Sequence, residues 1–245
     1  MSEKENQQIH NQSRRNFLRS SGLTVGGLIL GGAIGSIFGM KPGSTPTTSQ
    51  PTDSHHMTTN HNEAMLFFTR KEDFETLQAA TEVIFPEDEH GPGAIGLGAP
   101  YYIDKQLASP WGRNADDYMA RPFKDGQTPL TRGDIMIQGV RKINEVSLAK
   151  HDASFNKLNE EVQIEILQEF EGDKVEMKLI SSASFFALLR QLTLEGCFCD
   201  PLYGGNKNLE GWKMKEFPGA YMSHLDAAES KEFVKKDPMS LSHHM

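Results

Sequence analysis

Cys197 and Cys199 are the most reactive side-chain types that lie close together in this 245-residue sequence. One residue separates them, which is too close for an ordinary unstrained disulfide. They lack the C-x-x-C-H pattern that attaches haem c, and no histidine lies beside them in sequence to activate a thiolate. We therefore predict an inert, partly buried pair of thiols that forms neither a disulfide nor a zinc site.

Carboxylates and an arginine near these cysteines are the next candidates for catalysis. Glu195 and Asp200 could form an acid–base pair, but Asp200 precedes Pro201, and an aspartate in that position is ordinarily a turn residue. Arg190 could clamp an anionic substrate, although such a side chain is more often solvated or ion-paired. We therefore assign no catalytic residue.

Two further patterns are typical of ligand sites but lie in the wrong context. Residues Gly91–Gly96 match the G-x-G-x-x-G of dinucleotide sites, but that fingerprint follows a strand, and here Glu87–Glu89 would repel a pyrophosphate. His55, His56 and His61 lie in a polar tract, where histidines are usually solvated. We predict no cofactor-binding and no metal-binding residue in this chain.

The N-terminus carries an export signal of the twin-arginine type over residues 1–40. An apolar run without any charge, from residue 20 to residue 40, follows the arginine pair directly. The run is about long enough to span a bilayer, which takes roughly 20 residues. No clear A-x-A cleavage site follows, so the segment is either removed or kept as a membrane anchor. The residues of the signal are Ser13, Arg14, Arg15, Phe17 and Leu18.

Composition separates the leader from the rest of the chain. Residues 41–62 are rich in Pro, Thr and Ser without apolar periodicity, which predicts a flexible linker. The chain has 25 Lys and Arg against 33 Asp and Glu; without residues 1–40, which hold four basic and two acidic residues, the balance is 21 minus 31, or −10. Phosphates repel such an acidic domain, so we expect no nucleic-acid partner.

Apolar residues recur at helical spacing through residues 63–228, and no run alternates as a strand would. The sequence therefore predicts a single all-α helical domain with five or six helices and long ordered loops. The first helix follows a capping-box spacing at Thr69–Glu72 and ends at Pro86; the last and longest-looking one closes at Gly196. Residues 229–245 form a charged, frayed tail in this prediction. Helices between these begin at Pro100, at Thr131 and after Asn159.

The stretch from Leu194 to Tyr221 is a loop whose turns are set by its Gly and Pro residues. It contains seven Gly and Pro residues, which predicts consecutive turns and no regular helix or strand. Trp212, Phe217 and Tyr221 add large apolar faces, which suit a loop that is buried or faces a partner.

The same stretch, LEGCFCDPLYGGNKNLEGWKMKEFPGAY, resembles the small (third) subunit of membrane-bound gluconate 2-dehydrogenase, whose signature is EG-aromatic-x-x-DP-x-YGGN…GWK…FPGA. The two cysteines depart from the residues usual in that signature, and Lys207-Asn208 is a conservative change. The resemblance covers about Phe68 to Tyr221. Its other segments, in family order, are Ile84–Asp88, Gly91–Ala94, Tyr102–Asp104, Gln106–Leu107 and Tyr118–Phe123.

What the resemblance implies is a non-catalytic subunit of an oxidoreductase complex. The large subunit of that family carries FAD, some complexes add a cytochrome c subunit, and the complex lies on the extracytoplasmic face of the cell membrane. A folded-export signal on a chain without a cofactor site then has an explanation: this chain folds onto the FAD-bearing partner and supplies the signal to the twin-arginine translocase for both. The expected docking residues are Asp200, Tyr203, Gly204, Gly205, Asn206, Trp212 and Phe217.

Two other classes of function remain open at this stage. The chain could be a free-standing extracytoplasmic enzyme with a site assembled from scattered residues, or a metal-binding protein that uses its histidines. Co-purification of an FAD protein separates the three hypotheses.

Overall fold

The computed structural model describes residues 63–115, 117, 122–124 and 127–244. The predicted leader, with its export signal, and the predicted linker lie outside the described residues. So do Tyr118–Arg121 of the segments that carry the family resemblance.

The described residues are helical, which confirms the all-α prediction. They contain no strand, and two isolated bridges pair Asp88 with Gly91 and Gly219 with Met239. None of the described helices is both long and apolar enough to cross a membrane. Seven α-helices occur in the described residues: α1 (Lys71–Ile84), α2 (Ala99–Ala108), α3 (Arg132–His151), α4 (Glu160–Glu171), α5 (Ser182–Phe198), α6 (Glu210–Met214) and α7 (Leu225–Glu229). Short 3-10 turns lie at Phe155–Lys157, Pro201–Tyr203, Lys207–Leu209 and Leu241–His244.

Side-chain caps explain where helices α3 and α4 begin. Thr131 accepts a hydrogen bond from the backbone of Asp134, whose carboxylate accepts one from the Thr131 N–H in return, so α3 starts with a full capping box. Asn159 accepts from the Val162 N–H at the start of α4. The capping box expected before α1 is wrong, because Arg70 directly precedes that helix and makes no side-chain cap.

Helix α5 is the centre of the domain and packs against α1, α2, α3 and α4. Phe185, Leu189 and Leu192 recur on its inner face and are fully buried. Removing such side chains from water is the main stabilising contribution to the fold, at roughly 1.5–3 kcal/mol for each. The ring of Phe185 lies so close to Gly139 of α3 that a Cβ there would be 2.0 Å from it.

The predicted end of α5 at Gly196 is wrong. The helix continues to Phe198, and Gly196 lies inside it. A glycine is needed at this position because a Cβ would lie 2.9 Å from Ala99 of α2. The glycine thus permits close packing of α5 on the start of α2 and does not stop the helix. It follows that the stretch 194–221 contains the last turn of α5 and all of α6, although no regular helix was expected there. Helix α3, with 20 residues against 17 in α5, is the longest described helix.

Two aspartates fix the ends of the domain onto this helical core. Asp104 is fully buried in α2, and its carboxylate accepts the backbone N–H groups of Phe67 and Phe68, at 3.1 and 2.9 Å. Asp200 is buried beyond α5 and accepts the Leu241 N–H and the Ser240 hydroxyl, at 2.8 and 2.6 Å. Each carboxylate therefore holds a segment that is more than 35 positions away in sequence.

The C-terminal segment, predicted as a frayed tail, contacts the loop near its end, whereas residues 228–235 are exposed. The Ala220 N–H donates to the Met239 carbonyl over 2.8 Å, and the Met239 N–H donates to the Pro218 carbonyl over 3.0 Å. Ser240 is only 2% exposed. These contacts involve residues far apart in sequence, which is why charge and composition alone suggested a free tail. We call residues 230–240 the C-terminal strap.

Candidate partner-docking site

The loop that follows α5 begins with a turn that the Asp200-Pro201 pair sets. The Asp200 carboxylate accepts the Leu202 N–H over 2.9 Å, and the 3-10 turn Pro201–Tyr203 ends at Gly204, whose φ of +93° is left-handed. A Cβ on Gly204 would also lie 2.3 Å from the Lys105 amino group. As a result the side chains of Leu202 and Tyr203 project outward, and Tyr203 is 50% exposed.

Asn206 holds the middle of the loop together from a fully buried position. Its side-chain amide donates to the Cys199 carbonyl over 2.8 Å, and its side-chain oxygen accepts the Gly211 N–H over 2.8 Å. Its own backbone N–H donates to the Gly196 carbonyl over 2.9 Å. One residue therefore connects three segments: its side chain joins the Cys199 carbonyl to the Gly211 N–H of α6, and its backbone N–H binds α5 at Gly196.

Backbone strain is concentrated directly after this point. Asn206, Asn208 and Leu209 have φ values of 45°, 58° and 62°, all in the left-handed region. Asparagine tolerates this region, but a left-handed leucine costs of order 1–3 kcal/mol. The fold stabilises this conformation through Asn206, so the shape of the loop is imposed by tertiary contacts rather than by local preference.

Trp212 of α6 faces inward and is only 7% exposed. Its indole N–H donates to the Phe198 carbonyl over 2.7 Å, and its ring meets that of Phe217 edge-on with centroids 5.1 Å apart. Phe217 itself is 46% exposed. Both rings line an open groove of about 390 Å³. Its lining residues are Phe198, Trp212, Lys215, Glu216, Phe217 and Pro218.

The predicted docking residues thus divide into two groups. Tyr203 and Phe217 face solvent and can contact a partner directly. The buried members bind their own chain and can act on a partner only by holding those two rings in place, while Gly204 is partly buried beside Lys105. The buried members are Asp200, Gly205, Asn206 and Trp212.

The cysteines are both free, as predicted. Cys197 is fully buried with Ala94, Leu97 and Ala99, and burial raises the pKa of its thiol far above the ordinary value. Burial also raises the pKa of the Cys199 thiol to about 11. Both thiols are therefore protonated at neutral pH and are poor nucleophiles.

The candidate acid–base pair is not assembled as a pair. Glu195 accepts hydrogen bonds from the Tyr102 hydroxyl and the Gln191 side chain, at 3.3 and 2.7 Å. Asp200 instead binds the C-terminal segment at Ser240 and Leu241. Burial acts to raise the pKa of Asp200, but hydrogen bonds from Ser240, Leu241 and Leu202 outweigh this effect and hold the pKa below the ordinary value. Each carboxylate has separate structural partners.

The remaining candidates are Arg190 and possible metal ligands. The Arg190 Nε is buried and has no hydrogen-bond partner among the residues the structure describes. No group of three His, Cys, Asp or Glu side chains within residues 63–115 and 127–244 could hold a metal ion. The three histidines considered in the linker lie outside the described residues.

Sequence reasoning missed two contacts of the loop. The Lys207 amino group pairs with Glu63 over 2.8 Å, so the described chain starts beside the loop. The C-terminal strap also packs against it and leaves Phe233 94% exposed. The strap has no apolar periodicity that could have signalled its position; the sole hint was an apolar Phe233-Val234 pair within a charged run.

Comparison with known proteins supports the resemblance seen in the loop signature. A family model described as gluconate 2-dehydrogenase subunit 3 matches residues 71–219, more than half of the chain. The match confirms the resemblance. Searches of curated proteins and of solved structures returned no match.

Proposed function

We propose, because the chain belongs to the gluconate 2-dehydrogenase subunit 3 family, that it is the small, non-catalytic subunit of a membrane-associated, FAD-dependent dehydrogenase of gluconate 2-dehydrogenase type. In this proposal it assembles with the FAD-bearing large subunit and provides the twin-arginine signal that exports both. FAD is bound by the large subunit, and this chain carries no cofactor of its own.

The observation that carries the proposal is the family match, since a third subunit implies a multi-subunit dehydrogenase complex. A subunit of this kind needs a surface that recognises another protein. The loop after α5 supports this role because Asn206 and Asp200 hold it in one conformation while Tyr203 and Phe217 remain exposed. Aromatic residues on a rigid support lose little conformational entropy on binding and are enriched at interface centres.

Export and localisation follow from the N-terminal sequence. The arginine pair and the uncharged run after it are typical of the route that carries folded proteins, and a flavoprotein must fold around FAD before export. The complex then lies on the extracytoplasmic face of the membrane, attached through the N-terminal segment if that segment is kept. A cytochrome c subunit, present in some complexes of the family, would accept electrons from the large subunit.

Replacing both arginines tests the escort role. We expect Arg14→Lys with Arg15→Lys to leave this chain and a flavoprotein partner in the cytoplasm, because lysine keeps the charge but not the guanidinium geometry. Arg19→Lys, outside the pair, is the matched control and should export both proteins normally. The measurement is the amount of each protein, and of dehydrogenase activity, in the extracytoplasmic and cytoplasmic fractions. Normal export of the flavoprotein with the double variant would contradict the proposal.

Purification of the tagged chain from membranes tests the assembly role separately. We expect a flavoprotein with the absorbance of FAD to co-purify. Turnover of a sugar acid with an artificial electron acceptor by this chain alone would favour the free-standing enzyme instead.

A further inference from the structure

Residues 239–244 bind the start of the loop that follows α5. The Asp200 carboxylate accepts the Ser240 hydroxyl on one oxygen, at 2.6 Å, and the Leu241 N–H on the other, at 2.8 Å. The same carboxylate accepts the Leu202 N–H at 2.9 Å and so forms the first turn of the loop. One buried carboxylate therefore joins the start of the loop to a segment 40 positions further along the chain.

The same short segment also binds the end of the loop. The Met239 N–H donates to the Pro218 carbonyl at 3.0 Å, and the Met239 carbonyl accepts the Ala220 N–H at 2.8 Å. The His244 Nε2 lies 2.8 Å from the Ala220 carbonyl, and it donates there in the tautomer that carries the proton on this nitrogen. Residues 239–244, which we call the clasp, thus connect the two ends of the loop.

Neighbouring residues of the clasp bind opposite ends of the loop. Met239 and Ser240 are consecutive, so their Cα atoms are about 3.8 Å apart, yet Met239 binds Pro218 and Ser240 binds Asp200. The His243 N–H donates to the Ser240 carbonyl at 3.1 Å and closes the turn of the clasp. We therefore expect a movement that takes Ser240 away from Asp200 to displace Met239 from Pro218 as well.

Hydrogen bonds rather than apolar burial hold the clasp in place. Of residues 230–244, all of which the structure describes, only Ser240 is buried. Residues 228–235, which lead into the clasp, are exposed, and the ion pair of Lys235 with Glu216 is exposed on both sides, so it contributes little to stability. Segments with few buried apolar contacts open at a lower free energy than the core of a domain.

We propose that the clasp is a reversible latch, which opens at both ends of the loop as one unit while the helical core stays folded. In the open state the Asp200 carboxylate keeps the Leu202 N–H but loses both donors of the clasp, and residues 218–220 lose their backbone pairing. Closure therefore decides whether the loop is held in the conformation that presents Tyr203 to solvent. The proposal concerns this chain by itself and does not depend on the proposed function.

Hydrogen exchange of the full chain, followed by mass spectrometry of short peptides, tests whether the clasp opens separately from the core. The reporters are the backbone N–H groups of Leu241, at the start of the loop, and of Met239 and Ala220, at its end. We expect the three to share one level of protection, at least about tenfold below that of α5. Equal protection of the reporters and α5 would show that the clasp opens only when the whole domain unfolds, and the proposal would be wrong.

A substitution in the core sharpens this distinction. Ile143 is fully buried in α3, and Ile143→Val should speed the exchange of α5 by about two- to tenfold because it destabilises the folded core. The exchange of the clasp should stay unchanged, since the core is folded in both its open and its closed state. Faster exchange of the clasp by the same factor as α5 would contradict separate opening.

Ser240→Ala tests whether the two ends of the loop are coupled. The variant removes the hydroxyl bond to the Asp200 carboxylate, and hydrogen bonds to charged groups are among the stronger ones. We expect exchange to rise by about tenfold or more at Ala220 as well as at Leu241, with the helical circular dichroism unchanged. Faster exchange at Leu241 with unchanged exchange at Ala220 would show two independent contacts and overturn the proposal.

Two further variants complete the test. Ser230→Ala is the matched control, because the Ser230 hydroxyl is exposed and bonds Glu232 in its own turn, and it should leave every reporter unchanged. Gly219→Ala acts from the other end of the loop, since a Cβ there would lie 2.3 Å from the Met239 carbonyl oxygen, and it should speed exchange at Leu241. Unchanged exchange at Leu241 in this variant, with faster exchange at Met239, would also contradict a single latch.

Discussion

Asn206, which is buried in the loop after α5, provides the most direct test of how this loop is stabilised. Asn206→Ala removes the two side-chain hydrogen bonds that join the Cys199 carbonyl and the Gly211 N–H. Both backbone groups then lose their partner in a buried or partly buried position, at a cost of about 1–3 kcal/mol for each. Because water can reach the Cys199 side in part, we expect the loss of these two hydrogen bonds to lower the free energy of unfolding by about 2–4 kcal/mol, in addition to the cost of alanine in a left-handed backbone.

Asn208 is a matched control two positions away. It has the same side chain and a similar φ, 58° against 45°, but it is exposed and makes no side-chain hydrogen bond to the described residues. Alanine at either position carries the same penalty for a left-handed backbone, about 1–2 kcal/mol. The difference between Asn206→Ala and Asn208→Ala therefore cancels the backbone penalty and measures what the buried Asn206 side chain contributes through its two hydrogen bonds and its packing.

Urea unfolding followed by circular dichroism, on the chain beginning at Glu63, gives this difference. A difference of about 3 kcal/mol in the free energy of unfolding would also lower the melting temperature in a thermal scan by about 6–12 °C, since a domain of this size loses about 2–4 °C per kcal/mol. Equal costs at the two positions, within about 0.5 kcal/mol, would refute the view that Asn206 stabilises the loop.

Three further predictions concern the same region. Trp212→Ala should destabilise the isolated domain by about 3–5 kcal/mol, as measured by thermal melting. Tyr203→Ala should leave the melting temperature unchanged and weaken binding of the large subunit by about 2 kcal/mol, as measured by co-purification. The reverse result would make Tyr203 the core residue and Trp212 the partner contact. The pKa of Asp200 is lowered in the folded state, so its ionisation stabilises the fold above the ordinary aspartate pKa of about 4, and this stabilisation is lost as pH falls through the folded pKa. The difference in free energy of unfolding between wild type and Asp200→Asn, measured by urea unfolding, should therefore shrink over that acid range. Alkylation of Cys199 at pH 7 should be slow and should accelerate towards pH 11, while Cys197 reacts only after unfolding, as followed by mass spectrometry; rapid labelling of the folded protein at pH 7 would contradict the burial of these thiols.

Local sequence determined much of the helical framework. Thr131 and Asn159 each precede a helix and cap it with an oxygen that reaches a backbone N–H within three residues. The apolar positions Met136, Val140 and Ile143 are fully buried on one face of α3. Such features depend on residues within one helical turn of each other, so their spacing is visible in the sequence. The Gly and Pro pattern after α5 also identified the specified loop, and its signature identified the family.

The tertiary structure alone decided what that loop presents. Glycine is a residue type that often ends helices, but Gly196 contacts Ala99 across the helix interface and permits close packing there. Trp212 and Tyr203 are both aromatic residues among turns, yet one donates a hydrogen bond inward to Phe198 and the other faces solvent.

The position of the C-terminal strap likewise depends on a contact between residues far apart in sequence. Ser240 reaches Asp200 across 40 positions, and that contact forms only once α5 and the loop have placed the carboxylate. Composition records that residues 229–245 are polar, which describes their preference for water, but it contains no information on which buried acceptor they meet. The sequence therefore determined the five longer helices, the loop and the family. The short helices α6 and α7, the inward and outward directions of the aromatic rings and the position of the strap depend on long-range hydrogen bonds and packing.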